Sequence, residues 1–185
     1  KSDFTSSPPL KAAVEKALAR SLIPLENLDC FDLYSCFPCA VSIAKKMIGI
    51  TDDDPRHLTL TGGLGFFGGP GNNYSLHGVA TLAEKISIGE KSNGLVTALG
   101  WFMHKHAAGV YGSEPSKSKF KDYDVRDQKN GFAGKDPVKI KDQVTGTGTI
   151  ETYTIIYSMD QLPSYAVLYG KTRDNFRFIA RTQNH

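Results

Sequence analysis

Thr61-Gly62-Gly63-Leu64-Gly65-Phe66-Phe67-Gly68-Gly69-Pro70-Gly71-Asn72-Asn73 is the stretch whose reading decides the fold. So much glycine in so short a span implies positive φ angles or close approach of backbone to backbone. It marks a local feature rather than disorder, because regular elements bracket it. Upstream, His57 to Leu60 reads as a short strand. Downstream, a helix is expected from about Asn73, with Leu76, Val79, Ala80, Ala83 and Ile86 on its apolar face. The loop lacks the Lys-Ser/Thr of a P-loop, and its glycine spacing does not match the dinucleotide fingerprint. The helix start after Pro70 is a place where an anion such as a phosphate is received. Tight backbone packing is the other reading of the same glycines.

Working outward, Ser6 and Ser7 offer an N-cap to a first helix, and Pro8 and Pro9 suit its first turn. Leu10, Ala13, Val14, Ala17 and Leu18 recur on one face of it, and Pro24 closes the segment. A strand is expected over Leu28 to Tyr34, a turn over Ser35 to Cys39, and a second helix from Cys39 to Ile48. Beyond the glycine loop and its helix come two strands, Leu95 to Leu99 and Ala107 to Tyr111. Strands alternating with helices predict an α/β layered domain with a mixed sheet. The texture changes after Gly112. Glu114 to Lys141 is polar, mixed in charge and punctuated by Pro115, Gly131, Gly134 and Pro137, as a linker would be. Three runs rich in β-branched and aromatic residues follow, Thr149 to Tyr157, Tyr165 to Thr172 and Phe176 to Arg181. The expected division is residues 1–113 and residues 114–185, the second a linker and a small all-β domain.

The net charge of +3 over 185 residues is too small to demand a nucleic-acid or membrane partner. No apolar run approaches membrane-spanning length, and Lys1 to Ser7 has no signal-type apolar core. The expectation is a soluble, cytoplasmic chain without a membrane partner. The three cysteines, Cys30, Cys36 and Cys39, are odd in number and crowded, unlike a secreted disulfide framework.

Three stretches together carry a family resemblance: Asp32-Leu33-Tyr34-Ser35-Cys36-Phe37-Pro38, then Thr61 to Asn73, then Gly94 to Gly112. They resemble the C-terminal half of the thiolase superfamily, and most closely the thiolase-like protein type 1 branch, often labelled acetyl-CoA acetyltransferase. That branch carries an extra C-terminal β domain of a small barrel type, and the β runs here stand in its place. The resemblance implies a thiolase-type half-fold followed by a barrel-like domain, with acyl-CoA chemistry in lipid metabolism. It implies coenzyme A or acyl-CoA as the ligand and no tightly bound cofactor. Gly68, Gly69, Pro70 and Gly71 are the expected ligand-binding residues. The family's Gly-His-Pro is here Gly68-Gly69-Pro70, so the activating histidine is replaced by a residue that cannot take a proton. The Asn-Glu-Ala-Phe or His-Asp-Cys-Phe motif becomes Tyr34-Ser35-Cys36-Phe37, and Cys-x-Gly becomes Ala98-Leu99-Gly100. The nucleophilic cysteine belongs to the family's first half. Thiolysis needs nucleophile and base in contact, so the chain by itself is not expected to perform it. A first half, in a longer protein or a separate subunit, is the implied partner.

The remaining candidates come from the residues themselves. Cys36-Phe37-Pro38-Cys39 stands at a strand-to-helix turn, where a helix N-terminus lowers a thiol pKa, so redox chemistry is one reading. Inheritance of Cys36 from the family motif is the other. A zinc site is not expected, since Cys30 does not complete one. His106, in Trp101-Phe102-Met103-His104-Lys105-His106, is a candidate replacement acid or base; a solvated or backbone-bonded loop histidine is the alternative. Cys36 and His106 are thus the catalytic candidates, and no metal ligand is assigned. His77 reads as a half-buried helix residue. Tyr153, Tyr157, Tyr165, Tyr169, Phe176 and Phe178 interleave with Lys171, Arg173, Arg177 and Arg181. Such strands stack nucleic-acid bases or form an ordinary β core, so nucleic-acid or protein binding is the alternative function.

Overall fold

The computed structural model describes residues 3–117 and 138–182. They fall into two compact units, divided between Phe132 and Ala133. The linker expected over Glu114 to Lys141 lies mostly at 118–137, outside the described residues.

The larger unit is layered. Helix α1 spans Pro8–Ser21, β1 Phe31–Asp32, α2 Pro38–Ile48, α3 Leu64–Phe67, α4 Tyr74–Ser87, β2 Asn93–Gly100 and β3 Lys105–Gly112. The sheet order is β1-β2-β3, with β1 parallel and β3 antiparallel to β2. Because successive strand residues point to opposite faces, adjacent residues of β1 and β2 serve different cores. Phe31 and Leu95 join Leu10, Val14, Leu33, Ala44 and Ile50 on the α1 and α2 side. Cys30 and Val96 join Leu82, with Val79, Ile86 and Leu60, on the α4 side. That is the α/β mixed-sheet layering read from the sequence.

Local differences from the sequence reading have local causes. The strand expected at Leu28 to Tyr34 pairs only at Phe31 and Asp32. Its flanks find other partners: Asp29 N–H donates to the Asn93 side chain, and the Leu28 carbonyl accepts from Arg56. Arg56 also donates to the Leu25 carbonyl, pairs with Asp54 and lies over the Phe31 ring at 4.5 Å. His57 to Leu60 is not a strand. Its backbone makes one bridge, Thr59 to Asp32, and the Leu58 carbonyl accepts from Leu33 N–H at 2.9 Å. On α4 the buried face is Tyr74, Gly78 and Leu82, and Leu76 is exposed. Tyr74 takes the inside, and Leu76, expected on the apolar face, turns outward while Val79 and Ile86 keep their contact with the core.

The smaller unit is an antiparallel meander of β4 (Thr149–Tyr157), β5 (Pro163–Lys171) and β6 (Arg177–Arg181). Lys139 and Lys141 flank a short parallel bridge from Ile140 to Arg177. Phe178 lies across Gly170 and Gly148; a Cβ on Gly170 would meet its ring at 2.3 Å. The glycines are therefore flat ground under an aromatic cover. Among the described residues the meander is an open three-stranded sheet.

Candidate functional site

The glycine stretch makes sharp turns. Gly62, Gly63 and Gly68 have φ of 86°, 99° and 81°, a region that disfavours side chains, and α3 sits between them. Gly69 is glycine for another reason. Its φ is ordinary, but a Cβ there would lie 2.7 Å from Cβ of Tyr74 and 3.4 Å from Leu64 side-chain atoms. The Gly68 carbonyl lies 3.2 Å from Nδ1 of His77, whose ring tilts against Phe67. His77 is half-buried, as its place on the helix predicts.

One hydrogen-bond chain ties the glycine loop to the Asp32–Cys36 segment. Leu64 N–H donates to Ser35 Oγ at 2.8 Å, and Ser35 Oγ donates to the Tyr74 hydroxyl at 3.0 Å. Tyr74 and Thr61 hydroxyls are 3.0 Å apart, and Thr61 N–H donates to Asp32 Oδ2 at 2.8 Å. Tyr34 meets Tyr74 edge to face, its backbone N–H held by Thr97 Oγ1 at 2.9 Å. Asp32 and Tyr74 are both 1 % exposed. Burial pushes the phenol of Tyr74 above its ordinary value, so the chain carries a neutral hydroxyl at any ordinary pH.

Beside this chain opens a cleft of about 1080 Å³. Ser35, Cys36 and Pro38 line it on one side and Gly62 to Phe66 on another. Val41, Ile50 and Leu58 give it apolar walls; Lys45, Lys46 and Asp52 bring charge. Lys45 pairs with Asp52 at 2.6 Å. Phe37 and Phe66 are exposed, the latter 93 %.

The expected site residues fall in different settings. Cys36 lines the cleft. Its thiol is pushed up by burial, against the lowering expected of a helix N-terminus, although the Phe37 N–H pulls the other way. Cys36 sits one residue before the Phe37 N-cap, so desolvation outweighs the dipole. Cys36 and Cys39 are both free thiols. Gly68, Gly69, Pro70 and Gly71 turn the chain from α3 into α4, and the cleft is lined instead by Gly62 to Phe66. His106 is not on the loop but on β3, paired with Leu99. Its Nε2 shares a hydrogen bond with Ser7 Oγ at 2.9 Å and lies 3.2 Å from the Met103 carbonyl. Ser7, expected to cap α1, makes no side-chain cap bond; its buried hydroxyl is engaged by this imidazole. Ser35, Thr61, Tyr74 and Lys46 were not marked by sequence reasoning. Ser35 carried a signal as a member of the Tyr-Ser-Cys-Phe motif, and Thr61 as the first residue of the glycine stretch. Among the described residues no group of His, Cys, Asp and Glu could hold a metal ion, and no helix is long and apolar enough to cross a membrane.

In the β unit, Arg181 lies over Tyr165 at 3.6 Å and Lys141 over Phe176 at 4.3 Å, so these rings already face cations of their own unit. Tyr153 and Tyr157 are exposed on β4.

No curated protein matches the chain. Residues 130–185 match the family described as the thiolase-like protein type 1 additional C-terminal domain. The whole chain is similar to a crystal structure of a monomeric SCP2-thiolase-like protein type 1 from Mycobacterium smegmatis. That match has 40 % identity and a TM-score of 0.86, covering 99 % of this chain. The chain spans 40 % of the length of that solved relative. The β domain at residues 130–185 and the thiolase-like fold of the chain together place it among the thiolase-like proteins type 1 that carry this additional domain.

Proposed function

We propose that this chain is the part of a thiolase-like protein that binds coenzyme A esters in lipid metabolism, without carrying out thiolysis by itself. The observation that supports it most is the cleft of about 1080 Å³ between the Ser35–Cys36 segment, α2 and the glycine stretch. Its size suits a drug-sized or cofactor-sized ligand. Its apolar walls suit an acyl or pantetheine arm, and Lys45 and Lys46 at its edge suit an anionic head. In this reading Cys36 and the stretch Gly62 to Phe66 belong to the ligand's surroundings, the turn Gly68 to Gly71 holds that stretch against α4, and His106 acts as a proton carrier only when its Ser7 and Met103 contacts open. The nucleophile comes from residues outside the chain, in a first half or a separate cytoplasmic subunit. Gly69 and Ala98 leave this part without the family's base and its acid/base cysteine.

Titration of the purified chain with acetoacetyl-CoA in native mass spectrometry tests the reading. Saturable gain of one ester mass supports it. Absence of any adduct at millimolar ester removes the ligand site from this chain. The second reading, binding through the meander, draws on the exposed Tyr153 and Tyr157. It predicts salt-sensitive retention of a single-stranded oligonucleotide by the chain, lost on removing the residues after Thr147.

A further inference from the structure

The hydrogen-bond chain at the cleft wall has a polarity, and that polarity limits what the cleft accepts. A serine hydroxyl has one proton and two lone pairs. Ser35 spends its proton on the Tyr74 hydroxyl at 3.0 Å and one lone pair on Leu64 N–H at 2.8 Å. Tyr74 accepts from Ser35, so its own proton is turned away from Ser35, towards Thr61 Oγ1 at 3.0 Å or the Asp32 carboxylate. The Tyr74 ring is locked, being 1 % exposed and set edge to face against Tyr34. The Tyr74 Cβ stands over Gly69, where an added Cβ would lie 2.7 Å away. What remains of Ser35, a residue of the cleft lining, is a single lone pair.

We infer that Ser35 is a hydrogen-bond acceptor in the cleft wall, held so by Tyr74 as a positioning residue. The cleft therefore selects ligands that present an N–H or O–H donor at that point. This rests on the coenzyme A ester reading and sharpens it. The group Ser35 meets is an amide N–H of the pantetheine arm, not the thioester carbonyl. A carbonyl or a bare carboxylate offers acceptors only, and finds no proton at Ser35.

The test compares acetoacetyl-pantetheine with the same ester N-methylated at its cysteamine amide, by equilibrium titration of the full 185-residue chain. One hydrogen bond to a neutral acceptor corresponds to roughly a five-fold preference for the N–H ester. Ser35→Ala is expected to abolish the preference. Tyr74→Phe keeps the ring but frees the Ser35 proton, and is expected to shrink the preference towards unity without a comparable loss of melting temperature. Should Ser35→Ala fail to fold, Tyr74→Phe alone decides. Equal binding of both esters by the unaltered chain overturns the inference and leaves the coenzyme A reading intact. A preference that survives in both variants does the same. Binding of neither pantetheine ester nor acetoacetyl-CoA overturns both.

Discussion

Tyr74 and Gly69 meet at 2.7 Å, counted to the Cβ that Gly69 lacks, and this contact sets the chemistry of the loop. The atom in the way is a Cβ fixed to a helix backbone, which cannot swing aside as the end of a long side chain can. Gly69→Ala and Gly69→His are therefore expected to cost about 1–3 kcal/mol in urea unfolding, the usual penalty of overpacking. Gly69→His is also expected to leave the chain without thiolysis in a thioester-cleavage assay. Sequence reading found the glycine and its resemblance to a histidine position. It had no means of seeing Tyr74, since a tyrosine at a helix start carries no mark of where its ring lies. Cys36 is the opposite case, where a local rule was visible but burial outweighed it. Its raised thiol pKa means less thiolate at neutral pH. Iodoacetamide at pH 7 is expected to label exposed Cys39 first, with Cys36 lagging and then accelerating as pH rises through 9 and above. Faster labelling of Cys36 than of Cys39 at pH 7 would contradict this.

Among the elements, the readable ones carried their own signals. α1 and α2 have proline at their first turns and apolar residues at helical spacing, and they form within a residue or two of the expected bounds. β4, β5 and β6 announce themselves by β-branched and aromatic runs. What failed was whatever depended on a distant partner. β1 shrinks to two residues because the Asp29 N–H and the Leu28 carbonyl are taken by the side chains of Asn93 and Arg56, and the Leu33 N–H by the Leu58 carbonyl. α4 was recognised, but Tyr74 takes the inside and Leu76 turns outward. In the meander, the β4–β6 side-chain pairing rests on Arg177 and Glu151, which meet through Nε–Oε2 at 2.5 Å and Nη2–Oε1 at 3.1 Å. Arg177 holds the Glu151 carboxyl below its ordinary value. A depressed folded pKa contributes stability above the unfolded value, and that contribution is lost as pH falls through the folded one. Glu151→Gln is expected to reduce the stability of the meander by up to about 1 kcal/mol at pH 7, and to remove part of its acid sensitivity below the ordinary glutamate range. Chemical unfolding of both proteins at pH 7 and at pH 3 measures the difference, which should shrink at the lower value.

On the scale of the whole chain, the α/β layering and the all-β tail were legible because hydrophobic period distinguishes them, and the resemblance supplied the family. The cleft was not legible. It is made where the Ser35 turn, α2 and the glycine stretch converge, and no single segment encodes a concavity. Several large apolar side chains stand in water, among them Phe66, Trp101 and Phe102. Trp101 and Phe102 occupy the turn between β2 and β3, where Trp101 adopts a φ of 53° that a bulky residue rarely takes. Trp101 is the sole tryptophan of the chain and is 77 % exposed. Its light is then a reporter fixed to one spot. Excited at the indole absorption edge, the protein should emit as solvated indole does and be quenched readily by acrylamide. If a complementary polypeptide seats itself over that hairpin tip, the emission shifts to the blue and the quencher loses access. If it seats elsewhere, the colour of the glow stays as it was, and the spectrum tells the two arrangements apart without a label.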